Sequence, residues 1–311
     1  MRLRLALFLM APLLAHADLT HLIERPTIAA LAQEVSGVAA RRNLDEITLY
    51  HRTRASSQFR QAADHVLAQL KAYGFDNARI RTYPADGKTM FGTQKSRPAW
   101  DVEFAELWEL DAGGNRVQRH GSWDAMPLSV AQDSVSGRAV AELVDIGAGT
   151  APEHYAGRDL RGKLVLTVSQ PEAVQDLAVN KYGAAGIVSY APNQKSAWWL
   201  EDDRLVRWGH LDSFKEPGTF AFMVNLRTAN AWKARLAAGE TITLDAEVRA
   251  ERKPGEYVLV DASIPGAGAQ AEDEIIFTCH LDHPRPGAND NASGCVAELE
   301  AARALKTLID S

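Results

Sequence analysis

Residues 277–294 read FTCHLDHPRPGANDNASG, and this stretch decides the fold. An apolar run with acids at its start, residues 274–279, leads into it, and apolar residues recur at helical spacing after it, beginning with Cys295. The pattern predicts a strand buried on both faces, then a loop, then a helix with Ser293 as its N-cap. His280 would stand at the carboxyl end of that strand, the edge where open α/β sheets bind ligands.

Three side chains in this stretch have the chemistry of a metal site. The imidazole of His280 can bind a metal through one nitrogen, and Asp282 can accept a hydrogen bond from the other nitrogen and so fix the tautomer. Asp290 lies in a loop of small and polar residues just before the helix. Its two oxygens could bridge two cations about 3.5–4 Å apart.

These motifs resemble the zinc aminopeptidase and glutamate carboxypeptidase family, metallopeptidase family twenty-eight. The resemblance rests on the His-x-Asp strand end and on the loop Gly-Ala-Asn-Asp-Asn-Ala-Ser-Gly at residues 287–294, and it covers residues 255–311 well. It implies that His280 is a zinc ligand, that Asp290 bridges two zinc ions and that Asp282 is the supporting acid of the catalytic site. Asn291 replaces an aspartate that is common in the family.

The sequence departs from the family pattern after this loop. A family member continues with a Glu-Glu pair, which supplies the general base and a ligand, and then with a further acidic ligand and a histidine. Only 21 residues follow Asp290, and their acids, Glu298, Glu300 and Asp310, are interpreted as solvated helix residues. We therefore expect a C-terminally truncated peptidase domain of weak or no activity, whose reading frame would continue past Ser311.

The remaining histidines are scattered without ligand spacing, and a lone histidine is usually a surface or satisfied core residue. His283 is the exception, because it follows His280 by three residues and could reach the site. The others are His21, His51, His65, His120, His154 and His210.

Earlier in the chain the pattern predicts an α/β organisation. Helical spacing occurs at residues 27–38 and 56–73, and strands are predicted at residues 78–83 and 100–110. The sequence pattern changes at residues 122–236, where short predicted strands are separated by glycine, proline and aspartate. That segment resembles the protease-associated domain, a β-rich module without catalytic groups, although its glycines are explained equally well as turn residues.

The predicted fold class is α/β: an incomplete mixed-sheet zinc exopeptidase domain, phosphorylase/hydrolase-like, with an inserted β-rich protease-associated domain. Its predicted divisions are a signal peptide at residues 1–17, the first part of the peptidase domain at 18–121, the insert at 122–236 and the start of the catalytic domain at 237–311.

The first residues have the pattern of a secretory signal. Met1-Arg2-Leu3-Arg4 is followed by a short apolar stretch and by Ala15-His16-Ala17, which predicts cleavage before Asp18 and export. An uncleaved helix or anchor is the alternative. No later segment reaches the roughly 20 apolar residues that a membrane span requires.

Composition excludes some classes of function. The 311 residues carry a formal net charge of −6 without a basic run, which argues against a nucleic-acid partner. There are only two cysteines, Cys279 and Cys295, so disulfides are not the main source of stability, and whether the two pair is left open.

We therefore expect an exported zinc exopeptidase that acts on peptide substrates, with aminopeptidase action as the leading form and carboxypeptidase action still open. Imidazole and carboxylate ligands suit zinc but also cobalt or manganese. Two alternatives remain: a noncatalytic exported binding protein, and purely structural roles for His280 and Asp290. The sequence is silent on oligomeric state.

Overall fold

The computed structural model describes residues 23–191, 202–269 and 271–311. Among these residues there are six α-helices: α1 (Arg25–Glu34), α2 (Gly37–Ile47), α3 (Ser57–Ala72), α4 (Pro171–Gln175), α5 (Leu226–Ala237) and α6 (Ser293–Asp310). The predicted signal peptide at residues 1–17 lies outside the described residues. No helix in the described part of the chain is both long enough and apolar enough to cross a bilayer.

The described strands form three sheets. Their bounds in chain order are β1 (Arg79–Ala85), β2 (Met90–Phe91), β3 (Gln94–Lys95), β4 (Ala99–Leu110), β5 (Arg116–Ser122), β6 (Gly137–Asp145), β7 (Leu164–Thr167), β8 (Gly186–Ser189), β9 (Ala221–Met223), β10 (Thr243–Lys253) and β11 (Gly255–Asp261). The largest sheet has seven strands in the order β5-β4-β10-β6-β7-β8-β9. Strands β6 to β9 are parallel and the others antiparallel, so the predicted α/β class with a mixed sheet is confirmed.

The seven-stranded sheet is buried on both faces at its parallel strands. Leu164 and Leu166 of β7 face one apolar cluster, which α5 covers through Trp232, whereas Val165 faces a second cluster that contains Val174 of α4. All three β7 residues are fully buried. The short, continuously apolar strands of this region therefore have the environment that their sequences predict.

A second, smaller layer contains α1, α2, α3 and α6 together with strands β1 and β11. Strand β1 pairs antiparallel with β11, with Ala85 opposite Gly255. The chain thus leaves this two-stranded ribbon, builds the seven-stranded sheet and returns to the same ribbon. Helix α6 packs against α1, α2 and α3, and a cluster that includes Leu70, Phe75 and Leu299 joins the helices to the ribbon.

The seven-stranded sheet extends beyond the segment predicted as an insert. Strands β4 and β10 lie outside residues 122–236, yet they pair with each other along their whole length. The sheet therefore runs from Ala99 to Lys253. The division of the chain into domains, including the insert at residues 122–236, stays a prediction, and the β4–β10 pairing shows only that this sheet also contains strands outside those residues.

The strand predicted at residues 274–279 does not form. These residues have no regular secondary structure, and Ile275, Ile276 and Phe277 are 86%, 74% and 76% exposed. Among the described strands, none pairs with this run. An apolar run becomes a buried strand only where neighbouring strands accept its backbone hydrogen bonds and side chains cover it, and the described residues supply neither.

Two predicted helix boundaries also differ from the structure. The helix predicted at residues 27–38 is broken, because the hydroxyl of Ser36 accepts the amide of Ala39 and so starts α2 as a separate helix. Ser293 is the first residue of α6 rather than its N-cap, and its hydroxyl donates instead to the carbonyl of Asn289. By contrast, Ser56 caps α3 through the amide of Phe59, close to the predicted start.

Candidate metal site

The loop that carries the predicted ligands, residues 280–292, is called the candidate metal loop. Its start is anchored by a two-way backbone contact, in which Arg52 and His283 each donate an amide to the other's carbonyl, at 2.9 and 3.0 Å. Its end is a kinked turn at residues 288–292, in which Asp290 and Asn291 have non-helical backbone angles, and it leads directly into α6. Gly287 opens that turn at φ +50°, a left-handed conformation that favours glycine.

The three predicted residues meet at the surface of this loop. The Nε2 atom of His280 lies 3.0 Å from Oδ1 of Asp290, and its Nδ1 atom lies 3.3 Å from Oδ1 of Asp282 and 3.2 Å from the Asp282 carbonyl. The side chains of His280 and Asp290 are 53% and 66% exposed. Imidazole and carboxylate therefore converge, but in a site that is open to solvent.

His283 lies beside this pair without joining it closely. Its Nε2 atom is 4.0 Å from Oδ2 of Asp290, and its Nδ1 atom is 2.7 Å from the carbonyl of Pro284. Among the described histidines, His51, His65, His120, His154 and His210 lie in other environments, while His21 is outside the described residues.

The chemistry of the donors fits a zinc ion, although their number is small. One imidazole nitrogen faces a carboxylate, and the other is held by a hydrogen-bond acceptor, which is the usual arrangement around a metal-binding histidine. In the part of the chain that the structure describes, no group of three or more His, Cys, Asp or Glu side chains is placed to hold a metal ion. The described chain thus offers His280 and Asp290, with His283 as a distant third.

Asp282 also faces a cation. The Nε atom of Arg54 lies 3.5 Å from Oδ2 of Asp282, so the carboxylate is shared between an arginine and the imidazole of His280. Arg54 directly precedes a sharp bend at Ala55, whose φ of +60° is unusual for a residue other than glycine. Sequence reasoning did not identify Arg54, which no motif distinguishes from other surface arginines.

The prediction that Glu300 is solvated is wrong. Glu300 is 3% exposed, and its carboxylate accepts the Ser36 amide at 2.6 Å and the guanidinium of Arg303 at 2.8 Å. Burial by itself would raise the pKa of Glu300, but these hydrogen bonds bring it below its ordinary value. The acid faces α1 and α2 because α6 packs there, which helix periodicity alone could not reveal.

Glu298 is half-buried rather than solvated, and desolvation raises its pKa. The structure places neither Glu298 nor Glu300 with His280 and Asp290, since no ion pair or hydrogen bond links them in the described residues. The two acids are two residues apart in α6, so their side chains point to different faces of the helix.

Cys279 and Cys295, whose state the sequence left open, form a disulfide with a Cα–Cα distance of 5.3 Å. The bond joins the residue before His280 to the first turn of α6. This disulfide cross-links the exposed apolar run at residues 274–279 to α6.

A cavity of about 410 Å³ lies between the start of α3 and strands β4 and β10. His51, Trp100 and Trp123 are among its lining residues, and the rings of His51 and Trp123 lie 4.4 Å apart. His51 is 5% exposed, and its Nδ1 atom has no hydrogen-bond partner. Desolvation, with a smaller contribution from the charge of Arg285, lowers the pKa of His51 to about 4, so the ring is neutral at ordinary pH.

Comparison with known proteins identifies a family for the loop segment. The sequence model of peptidase family M28 matches residues 260–310, which include His280, Asp282 and Asp290. A search of curated proteins found no match.

Solved structures match over a longer part of the chain. A peptidase M28 precursor from Shewanella amazonensis is 17% identical, with a TM-score of 0.60 over 90% of this chain and 63% of its own length. A zinc aminopeptidase from Bacillus subtilis is 16% identical, with a TM-score of 0.53 over 86% of this chain and 58% of its own. An aminopeptidase from Aneurinibacillus sp. strain AM-1 is 22% identical, with a TM-score of 0.49 over 89% and 61%.

The chain spans about three fifths of the length of these solved structures. At such identities the likeness of the first two shows a common fold, which agrees with the mixed α/β architecture described above. The resemblance that the motifs indicated is confirmed for residues 260–310, the segment that carries His280 and Asp290 and that matches the model of peptidase family M28.

Proposed function

We propose that this chain supplies part of the metal site of a zinc-dependent exopeptidase that hydrolyses peptides. The observation that carries the proposal is the 3.0 Å approach of His280 Nε2 to Asp290 Oδ1, with Asp282 on the opposite nitrogen of the same ring. Support for zinc and for aminopeptidase action comes from the Bacillus subtilis zinc aminopeptidase, which has a similar fold. In the complete site, Asp290 would hold two zinc ions through its two carboxylate oxygens.

Each residue has a distinct task in this proposal. Asp282 accepts the Nδ1 proton of His280, which keeps the lone pair of Nε2 free for a metal and fixes the orientation of the ring. Asp290 offers two carboxylate oxygens on a short, anchored turn. Bound zinc would supply a water of lowered pKa and would polarise the carbonyl of the peptide bond.

Ligand number limits what the described residues can do alone. Catalytic zinc sites keep three protein ligands and an open position, and the described chain brings together two. We therefore propose that the 311-residue chain binds zinc weakly and hydrolyses peptides little.

Zinc titration of the 311-residue chain by calorimetry tests the ligand assignment. Zinc should bind to the wild type, while His280→Ala and Asp290→Ala should each weaken binding at least tenfold. His154→Ala is the matched control, because His154 is part-buried and belongs to the turn at residues 152–155. Equal zinc affinity of His280→Ala and wild type would refute the assignment, and absence of binding to the wild type would favour a noncatalytic role.

Activity is measured in parallel with aminoacyl-nitroanilides and short peptides, with and without added zinc. Turnover that depends on zinc and disappears in His280→Ala supports the exopeptidase proposal. Turnover that is unchanged in His280→Ala contradicts it.

Export is the second part of the proposal. Its supports are the sequence pattern of residues 1–17 and the Cys279–Cys295 disulfide, since disulfides persist mainly in oxidising compartments. N-terminal sequencing of protein from the exported fraction should begin at Asp18. A cytoplasmic product that retains Met1 would contradict export.

The third part concerns the organisation of the chain. We propose that the protease-associated-like insert includes β4, β5 and β10 in addition to residues 122–236, because these strands complete its sheet. Expression of residues 98–254 alone tests this, since a folded, cooperatively unfolding fragment is expected and an unfolded one would refute the boundary.

A further inference from the structure

Arg52 is a buried cation beneath the candidate metal loop. Its side chain is fully buried, and no ion pair with a carboxylate is found for it among the described residues. Instead its guanidinium donates hydrogen bonds to five backbone carbonyls. A buried charge that is satisfied only by neutral acceptors is uncommon, because desolvation of an ion is costly and is usually offset by a counter-charge.

The five carbonyls belong to two segments. On one side, Nη1 donates to Ile47 at 2.8 Å and to Tyr50 at 3.2 Å, at the end of α2 and just after it. On the other side the candidate metal loop accepts from all three nitrogens: Leu281 from Nε at 2.8 Å, Pro286 from Nη1 at 3.1 Å and Gly287 from Nη2 at 3.1 Å.

The loop carbonyls lie between the two proposed ligands in the sequence. Leu281 follows His280 directly, and Gly287 precedes Asp290 by three residues. A rigid planar guanidinium that binds both ends of this connection sets their separation. The backbone of Arg52 adds the two-way contact with His283, so a single residue holds the loop through its main chain and its side chain.

Gly287 shows that the loop is built around this guanidinium. A Cβ atom at residue 287 would lie 2.7 Å from Nη2 of Arg52 and 2.6 Å from Cβ of His283, closer than real contacts allow. The glycine is therefore required here by its φ of +50° and by the close approach of both His283 and Arg52.

The nearest compensating charge is Asp282. Burial lowers the pKa of Arg52 to about 10, while the charge of Asp282 acts to raise it. Arg52 therefore stays charged at ordinary pH, and its field acts on the carboxylate that orients His280. The arginine is linked to the metal site by geometry and by charge without touching either ligand.

We propose that Arg52 is a positioning residue that sets the spacing of His280 and Asp290 by clamping the loop between them. This inference rests on the proposed zinc site. Lysine is not an adequate substitute, because one ammonium has three donors at a single point and cannot reach carbonyls on both sides of the loop.

The test compares Arg52→Lys with Arg252→Lys in the 311-residue chain. Arg252 is a matched control because it lies in β10 of the seven-stranded sheet, away from the loop. Its side chain is 7% exposed, and it donates to the carbonyl of Ser213. Zinc affinity is measured by calorimetry at a temperature where each variant is fully folded, and the free energy of unfolding is measured separately. Arg52→Lys should weaken zinc binding about 10- to 100-fold, as outer partners of metal ligands do. Arg252→Lys should lower stability and leave zinc affinity unchanged.

A second pair of variants keeps the test decisive if Arg52→Lys does not fold. Gly287→Ala should displace the guanidinium and weaken zinc binding, whereas Gly92→Ala should not. Gly92 has a similar φ of +60° but open space at its Cβ position, so it controls for the backbone cost alone. Unchanged zinc affinity in folded Arg52→Lys or Gly287→Ala, or an equal loss in both controls, would overturn the proposal.

Hydrogen exchange separates this inference from the proposed function. In metal-free protein, Arg52→Lys should speed exchange of the amides of His283 and Ala292, which are bonded to Arg52 and Gly287 in the wild type. If the wild type binds no zinc, the zinc site fails, and faster exchange still supports the clamp. Unchanged exchange at both amides would overturn the clamp itself.

Discussion

Two apolar runs of similar composition have opposite fates in this molecule. Strand β8 contains Ile187 and Val188, which are fully buried between β7 and β9. Residues 274–279 contain Ile275 and Ile276, which are exposed and unpaired in the described structure. The difference teaches that local apolar character predicts a strand only if partners for its backbone and its faces are supplied elsewhere.

The seven-stranded sheet and the candidate metal loop are also stabilised by different kinds of interaction. The seven-stranded sheet is stabilised by two apolar clusters, one on each face. The candidate metal loop is held by specific contacts: the Arg52 hydrogen bonds, the backbone contact with His283 and the Cys279–Cys295 disulfide. Truncation of a buried side chain in the sheet should therefore lower the free energy of unfolding, whereas loss of a loop contact should in addition change the local geometry of the loop.

The largest expected difference is between Ile187→Ala and Ile275→Ala. Ile187 is fully buried, so its truncation should lower the free energy of unfolding by about 2–5 kcal/mol. Ile275 is 86% exposed, so the same change should alter stability by less than about 0.5 kcal/mol. Urea denaturation of both variants measures the two values, and similar losses would mean that residues 274–279 are buried in solution.

In the loop region, removal of the disulfide should cause the largest loss in the free energy of unfolding. Cys279→Ala with Cys295→Ala releases a cross-link between residues 16 apart, which should cost about 3 kcal/mol by the chain-entropy relation. Urea denaturation with and without reductant checks this. Reductant should destabilise the wild type and leave the double variant unaffected, and a wild type insensitive to reductant would show that the bond contributes nothing.

The smallest expected effect concerns His51, which lies where the two regions meet. Its pKa is lowered from 6.5 to about 4, so the unfolded chain binds a proton at a higher pH than the folded chain does. The stability that the neutral ring contributes is present above pH 6.5 and should be lost, by on the order of 2 kcal/mol, as the pH falls toward 4.

His51→Phe keeps a ring against Trp123 but cannot be protonated. Burial also lowers the pKa of His65 and of His120, so the stability of both proteins depends on pH for other reasons. The informative quantity is therefore the free energy of unfolding of the variant minus that of the wild type. In thermal unfolding experiments, the variant should become more stable relative to the wild type as the pH is lowered from 7.5 to 4.5. A difference independent of pH would show that His51 is accessible to protons in the folded state.

Much of the architecture could be predicted from local pattern. The helix at residues 56–73 matches α3 closely, since Ser56 caps its first turn and Gly74 takes a φ of +89° just after its end. The strands predicted at residues 78–83 and 100–110 also correspond to β1 and β4. In each case the signal is local: a cap, a turn glycine or an alternation of apolar residues.

The residues of the candidate site that belong to the sequence motif were predicted. His280, Asp282 and Asp290 were identified from their spacing, and the structure brings them together. Arg52 and Arg54 were not identified, because each acts on residues more than 220 positions away. An arginine in a polar stretch carries no local sign of whether it will be buried.

The sequence by itself determined which side chains have the chemistry to bind a metal, where α3 begins and ends, and which runs are apolar, since these depend on side-chain type and on neighbours within a few positions. Tertiary structure decided that residues 274–279 stay exposed, that Glu300 is buried, that Cys279 and Cys295 pair, and that Arg52 lies under the candidate metal loop. The physical reason is the same throughout: burial and hydrogen bonding are properties of the space around a group, and segments far apart in the chain create that space.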